Sequence, residues 1–328
     1  MINPVPSPPI PKGARPSLDG TTTSPLRMRA RMILERGGVF WRVFRQSRLG
    51  VIGLLILLGF LVVALSAPAL AAAGILRDPF LINEDSQGRI LNYLGPTESF
   101  PLGTDQVGRD LLSRMWFGSQ YTLLIGMIAS VISMGLGTSV GLLAGYAGGW
   151  IDELLMRVTD FFLVLPTLVL ALILAVTLPP PGVVDLWKLI FVIGISLWAS
   201  TARLVRSQVL TIKERQFVLR AQAIGAGHGR IIARHIFPNA FSLVFAEAIL
   251  TIAVAILTES FLAFIGLAPA DTITWGNILQ AALAHDALEQ GLVWWVVMPG
   301  LLIVGLVYGF TLLGYALDEL FNPRLRRR

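Results

Sequence analysis

The chain has 328 residues, of which 55% are apolar types and only 14% are charged, with a net charge of +6 and a mean hydropathy of +0.72. A soluble domain carries about 25% charged residues, so this balance points to a membrane protein and argues against a soluble nucleic-acid binder. The absence of cysteine excludes disulfides, thiolate metal sites and lipid attachment to cysteine.

Residues 1–30 carry Pro4, Pro6, Pro8, Pro9, Pro11, Pro16 and Pro25 with a Thr/Ser run, and this composition predicts a disordered tail. Residues 31–48 interleave Arg31, Arg36, Arg42, Arg45 and Arg48 with Phe40, Trp41, Val43 and Phe44, the pattern of a basic amphipathic stretch lying on lipid. Six apolar runs follow, near 49–73, 120–147, 161–179, 188–207, 240–266 and 293–317. Each supplies the roughly 20 residues that a membrane-crossing helix needs; Pro166 predicts a kink inside the third. The first run ends SAPALAAAG, which resembles a signal-peptidase site, but 48 residues precede the run, so retention as an anchor is expected. The predicted fold is an all-α integral membrane protein with six transmembrane helices.

Lysine and arginine set the orientation. With the N-terminus inside, 21 of the 26 basic residues fall on the inner side, and only Arg77, Arg89, Arg109, Arg114 and Lys188 fall outside. Both termini are therefore expected in the cytoplasm. The expected organisation is a tail over 1–30, an interfacial segment over 31–48, a first helix with an outer loop over 49–119, a core over 120–320 and a basic C-terminal tail over 321–328.

The core contains a cytoplasmic loop at 208–239, too long for a mere connector. It reads as two short helices. In the first, near 211–224, Phe217, Val218, Ala221 and Ile224 form an apolar stripe flanked by Lys213, Arg215 and Arg220, with small residues at Ala221 and Ala223. Gly225 suits the left-handed position that stops a helix. In the second, near 229–236, Arg230 and Arg234 stand at i, i+4, and Pro238 is expected to end the helix with Phe237 extended. Two readings fit: an interfacial pair that snorkels its arginines to lipid heads, or a docking knob for a cytoplasmic partner.

The segment AQAIGAG…RIIARHIFPNA resembles the cytoplasmic loop of permease subunits in binding-protein-dependent ABC importers. Ala221, Gly225 and Pro238 match that family's pattern, while Leu219 and Arg220 stand where it has Glu and Ala. Three further stretches, LGTDQVGRDLLSR (102–114), ILTESFLAFIGLAPADTITWGNIL (256–279) and WWVVMPGLLI…LLGYALDELFNPRLR (294–326), resemble the second, C-type permease of the dipeptide/oligopeptide family. The resemblance implies a type I ABC importer permease fold and a homologous second permease as partner. It implies two ATPase subunits that hold ATP and Mg, an extracytoplasmic substrate-binding protein, and no cofactor on this chain itself. It also implies that the first loop helix, through Phe217, Val218, Arg220, Ala221, Ala223, Ile224 and Gly225, docks on the ATPase, supported by Arg230, Arg234 and Pro238. Peptides, nickel complexes and some oligosaccharides are carried in that family.

In the outer motif, Asp105, Arg109 and Asp110 can form a charge pair and a cap, and Gly103, Thr104 and Gly108 suit turns; a structural role and direct substrate contact both fit. None of Lys12, Lys188 and Lys213 stands in a phosphate-binding loop, so ATP hydrolysis belongs to another chain. GTSVG (137–141) has the form of a nucleophile elbow, but it lies inside an apolar run with no histidine in reach. Gly137, Gly141 and Gly145 read instead as a helix-packing stripe. His228 and His235 do not read as metal ligands. Glu247 and Glu259, in the fifth run, are candidates to line a translocation path; an inter-subunit hydrogen bond or interfacial solvation fits Glu247 equally, and a water-exposed or hydrogen-bonded gate position fits Glu259. The alternative function is an ATP-independent secondary transporter or channel, which would give the two-helix loop no task.

Overall fold

The structure is a computed structural model and describes residues 41–180, 182–269 and 271–321. The expected tail 1–30, residues 31–40 of the interfacial stretch and the basic tail beyond 321 lie outside the described residues. The chain divides into Met1–Val43, described only at 41–43, and a unit over Phe44–Arg328 that holds the whole helical fold.

Helix α1 spans Arg48–Ala72, and the Ser47 side chain caps it by accepting from the Gly50 amide. Helix α2 spans Leu111–Ala147, begins nine residues before the expected apolar run, and is capped by Asp110, which accepts from the Ser113 amide. At 37 residues it is about 55 Å long. The third run is two helices, α3 at Gly149–Val164 and α4 at Thr167–Thr177, bent by 94°. This corrects the expectation of one kinked span over 161–179. Pro166 has no amide proton and forces its predecessor out of the helical region, and Leu165 is accordingly extended at ψ 130°. Helix α5 spans Leu186–Lys213. Then come α6 at Gln216–Ala223, α7 at His228–Ile231, a π turn at Ile232–Ile236 and α8 at Phe237–Phe264. Helix α9 at Trp275–Ala284 lies between the fifth and sixth runs, where the sequence pattern predicts no helix, and α10 spans Val293–Phe321. Among the described residues five helices are long and apolar enough to cross a membrane, and the bent pair α3–α4 makes six if it counts as one span.

Helix α2 packs closely on α5 along the glycine stripe. A β-carbon at Gly137 would stand 2.6 Å from the Trp198 carbonyl oxygen, one at Gly141 2.5 Å from that of Ala202, and one at Gly145 2.8 Å from the Val209 Cβ. Ser139, between these glycines, is exposed and donates to the Gly135 carbonyl of its own helix. At the other end of the bundle Trp275 and Trp295 are fully buried in the largest apolar cluster, and the Trp275 indole donates to the Met115 carbonyl. Helix α3 is strapped to α5 by ion pairs: Arg206 meets both Asp152 oxygens at 2.5 and 2.7 Å, and Arg203 meets Asp160 at 2.5 Å.

Candidate functional site

The connector between α5 and α8 is a compact hairpin. Helix α5 runs on to Lys213, so the first expected helix, 211–224, shortens to Gln216–Ala223 after a break at Glu214–Arg215. Gly225 ends it at φ +79°, with its amide bonded to the Gln222 carbonyl and the Ala226 amide to that of Ala221. This is the closure that favours glycine. The second expected helix does not stop at Pro238. Phe237 is helical (φ −56°, ψ −45°) and its amide reaches five residues back to Ile232. The π turn supplies the slack that a proline ring needs, so α7 passes into α8 unbroken.

The hairpin has two faces. Val218 and Ala221 are buried with Ile231 and Ile236 against Val205, Val209, Ala240 and Val244. Val218 and Ala221, both in the expected docking set, therefore stand on the inner face of the hairpin. Phe217, Leu219, Arg220, Ala223, Ile224 and Gly225 face outward, with Ile224 85% exposed. Arg230, Arg234 and Pro238 are exposed on the second limb. Leu219 joins the outward face although the sequence pattern does not single it out, and the expected apolar stripe divides, with Val218 and Ala221 toward the core and Phe217 and Ile224 toward solvent.

The outer motif caps α2. The Asp105 Oδ1 accepts from the amides of Val107 and Arg109 at 3.0 and 2.9 Å, and its Oδ2 meets the Arg109 Nε at 2.7 Å, with Arg114 at 3.6 Å. Gly103 sits at φ +71°, and a β-carbon there would stand 2.1 Å from the Leu94 carbonyl oxygen. The Thr104 hydroxyl donates to the Leu91 carbonyl and accepts from the Leu94 amide. Gly108 (φ +79°) carries the turn, and its carbonyl accepts from the Asn83 side chain. The structure reveals a second copy of this turn: Asp85–Arg89 and Asp105–Arg109 share the pattern D-x-x-G-R, a repeat that was present in the sequence as its signal. Each is closed by an antiparallel bridge, Glu84 with Ile90 and Thr104 with Asp110. The amide of Arg89, with its side chain and the Gln87 amide, holds the exposed Asp85 carboxyl below its ordinary range. Asp105 is only 2% exposed, so the buried copy is a structural clasp.

The two glutamates are apart in environment as well as position. Glu259 is fully buried, which rules out a water-exposed gate; its Oε2 lies 3.3 Å from the Ser260 hydroxyl, and its Oε1 has no partner among the described residues. Glu247 is half-buried and lines a cavity of about 80 Å³ with Ser200 and Thr251. Among the described residues no group of three or more His, Asp and Glu side chains is placed to hold a metal ion.

Known proteins share this sequence along most of its length. Residues 137–327 match the family described as binding-protein-dependent transport system inner membrane component, and residues 36–96 match the N-terminal TM domain of oligopeptide transport permease C. The chain is 34% identical over 291 residues to the dipeptide transport system permease protein DppC of Bacillus subtilis (strain 168), covering 88% of this chain and 85% of that one. It is 32% identical over 285 residues to the oligopeptide transport system permease protein OppC of the same organism, covering 87% and 88%. It is also 32% identical over 293 residues to DppC of Haemophilus influenzae, covering 88% and 95%. The chain therefore belongs to the binding-protein-dependent transport system inner membrane component family and is a multi-pass membrane permease subunit of an ABC importer.

Proposed function

We propose that this subunit imports peptides, pairing with a homologous second permease and resting on two ATPase subunits that bind ATP and Mg²⁺. A substrate-binding protein delivers the peptide on the outer side. Both termini and the 214–236 hairpin lie in the cytoplasm, in keeping with the lysine and arginine distribution. The observation that carries the reading is the two-faced hairpin. One side is anchored in the bundle by Val218, Ala221, Ile231 and Ile236, and the other presents Phe217, Leu219 and Ile224 to solvent. Exposed apolar side chains on a rigid, basic-rimmed helix suit a protein groove better than water. Arg220, Ala223 and Gly225 complete that surface, and Arg230, Arg234 and Pro238 support it. Glu247 faces the translocation path from α8, Glu259 holds the α8–α9 turn from inside, and the buried D-x-x-G-R clasp fixes the outer end of α2.

When ATP binding closes the ATPase pair, the hairpin moves as one body, because its inner face is packed, and the membrane helices follow. The test is uptake of a labelled dipeptide into vesicles that hold this chain, the companion permease and the ATPases. Uptake is expected only with ATP inside and binding protein outside. Dipeptide uptake that needs neither would overturn the reading in favour of a self-contained transporter.

A further inference from the structure

Beside α6 lies an open cavity of about 520 Å³, lined by Leu143 and Tyr146 of α2, Lys213 of α5, the exposed Leu219 and Gln222 of α6, and His228 of α7. Apolar packing joins α6 to the end of α2 only around this cavity, where Leu142 and Tyr146 lie against the cluster that holds Val218 and Ala221. The buried cluster under the hairpin reaches α5 and α8 through Val205, Val209, Ala240 and Val244, and α2 through Met134, with Leu142 and Tyr146 packed against it. At this corner the end of α2 is reached by a polar contact. The Tyr146 hydroxyl and the His228 Nδ1 are 2.8 Å apart, with the rings edge to face at 5.6 Å. Among the described residues this is the one hydrogen bond between two side chains that joins 214–236 to a membrane-spanning helix. In the same turn Lys213 donates to the Gly145 carbonyl at 3.1 Å, which fixes the end of α5 beside it.

The position of Tyr146 matters because of what α2 is. It runs unbroken from the cap at Asp110, the last residue of the outer clasp, to Ala147, and it is locked to α5 along the glycine stripe. A push received at its last turn is delivered along one rigid rod to the outer loop. The bridge adds a directional tie between the hairpin and that last turn, beside the apolar packing, and its loss loosens the hairpin against α2.

We propose that Tyr146 and His228 are positioning residues that carry the hairpin's displacement to α2, so that they set how much transport each ATP yields. The inference rests on the reading of the hairpin as the ATPase-docking element. The experiment uses the full complex, with both permeases, the ATPases and the binding protein, in vesicles. Tyr146→Phe keeps the ring contact and removes the hydroxyl; His228→Ala removes both. In each variant the ATPases are expected to stay bound and to hydrolyse ATP at close to the wild-type rate. Labelled dipeptide imported per ATP is expected to fall about two- to ten-fold, the span that one net hydrogen bond covers. The double variant should be no worse than His228→Ala, because the two residues act as one contact. His228→Asn, which keeps an acceptor near the Nδ1 position, should recover most of the loss. An unchanged ratio in both single variants overturns the proposal, and so does loss of bound ATPase, which would assign the pair to docking instead. If the wild-type chain itself recruits no ATPase, the docking reading has failed and this proposal falls with it, an outcome visible before any variant is made.

Discussion

Gly103 illustrates how one backbone position constrains a whole loop. Its φ of +71° lies where side chains are strained, and a β-carbon would meet the Leu94 carbonyl oxygen at 2.1 Å. Gly74 has a similar φ of +75°, but a β-carbon there would have nothing within 4 Å. Gly74→Ala should therefore cost only the conformational strain, about 1–2 kcal/mol. Gly103→Ala adds a collision with backbone that has nowhere to go, since Leu94 is held by Thr104. Thermal unfolding in detergent should show a clearly larger drop in Tm for Gly103→Ala, and equal drops would contradict the clasp. The need for turns at Gly103 and Gly108 was legible in the sequence, as were the Asp105–Arg109 pair and the Asp110 cap, because short spacings fix local geometry. The burial of Glu259 was not, because it depends on how the α8–α9 turn folds back over α8. The carboxyl of Asp85 titrates below its ordinary range, so its support of the exposed turn is present at neutral pH and is lost as the pH falls through that lowered value.

At the scale of elements, the glycine stripe and the hairpin faces make opposite demands. Gly141→Leu would drive a side chain into the Ala202 carbonyl, 2.5 Å from its β-carbon, whereas Gly135 on the same helix has nothing within 4 Å. Overpacking of this kind costs about 3 kcal/mol at the upper end of its usual range. Gly141→Leu should aggregate on size exclusion in detergent while Gly135→Leu elutes as wild type; identical profiles would contradict the close packing of α2 on α5. On the hairpin, Ile224→Asp should abolish ATPase co-purification yet leave the chain folded, because Ile224 touches solvent. Val218→Asp buries an unpaired carboxylate and should unfold the hairpin itself. The reverse pattern would invert the faces. The apolar runs revealed the long helices because a span must be apolar throughout, but they left three things hidden. Helix α9 is ten residues in a loop, too short to announce itself. Pro166 marks the break in the third run, but neither the 94° angle nor the pairing of Asp152 and Asp160 with Arg206 and Arg203 is written in the local sequence, because those partners are far apart along the chain. The stripe of α6 divides between the core (Val218, Ala221) and solvent (Phe217, Ile224), because an apolar stripe does not say whether core or partner covers each residue.

For the whole molecule, the central claim is that this chain is one permease in a larger ABC assembly, with the hairpin as its handle. In the proposed account the long helix α2 links the clasp at one end to the hairpin at the other, and the ATPase partners supply the force. The most direct measurement is an affinity purification of the tagged chain from cells that co-express its companion permease, ATPases and binding protein, in mild detergent, with each co-eluting subunit identified and quantified by mass. The account predicts one companion permease and two ATPase subunits for each copy of this chain. Elution of the chain alone or as a homo-oligomer, still able to move dipeptide across vesicles without ATP, would contradict it.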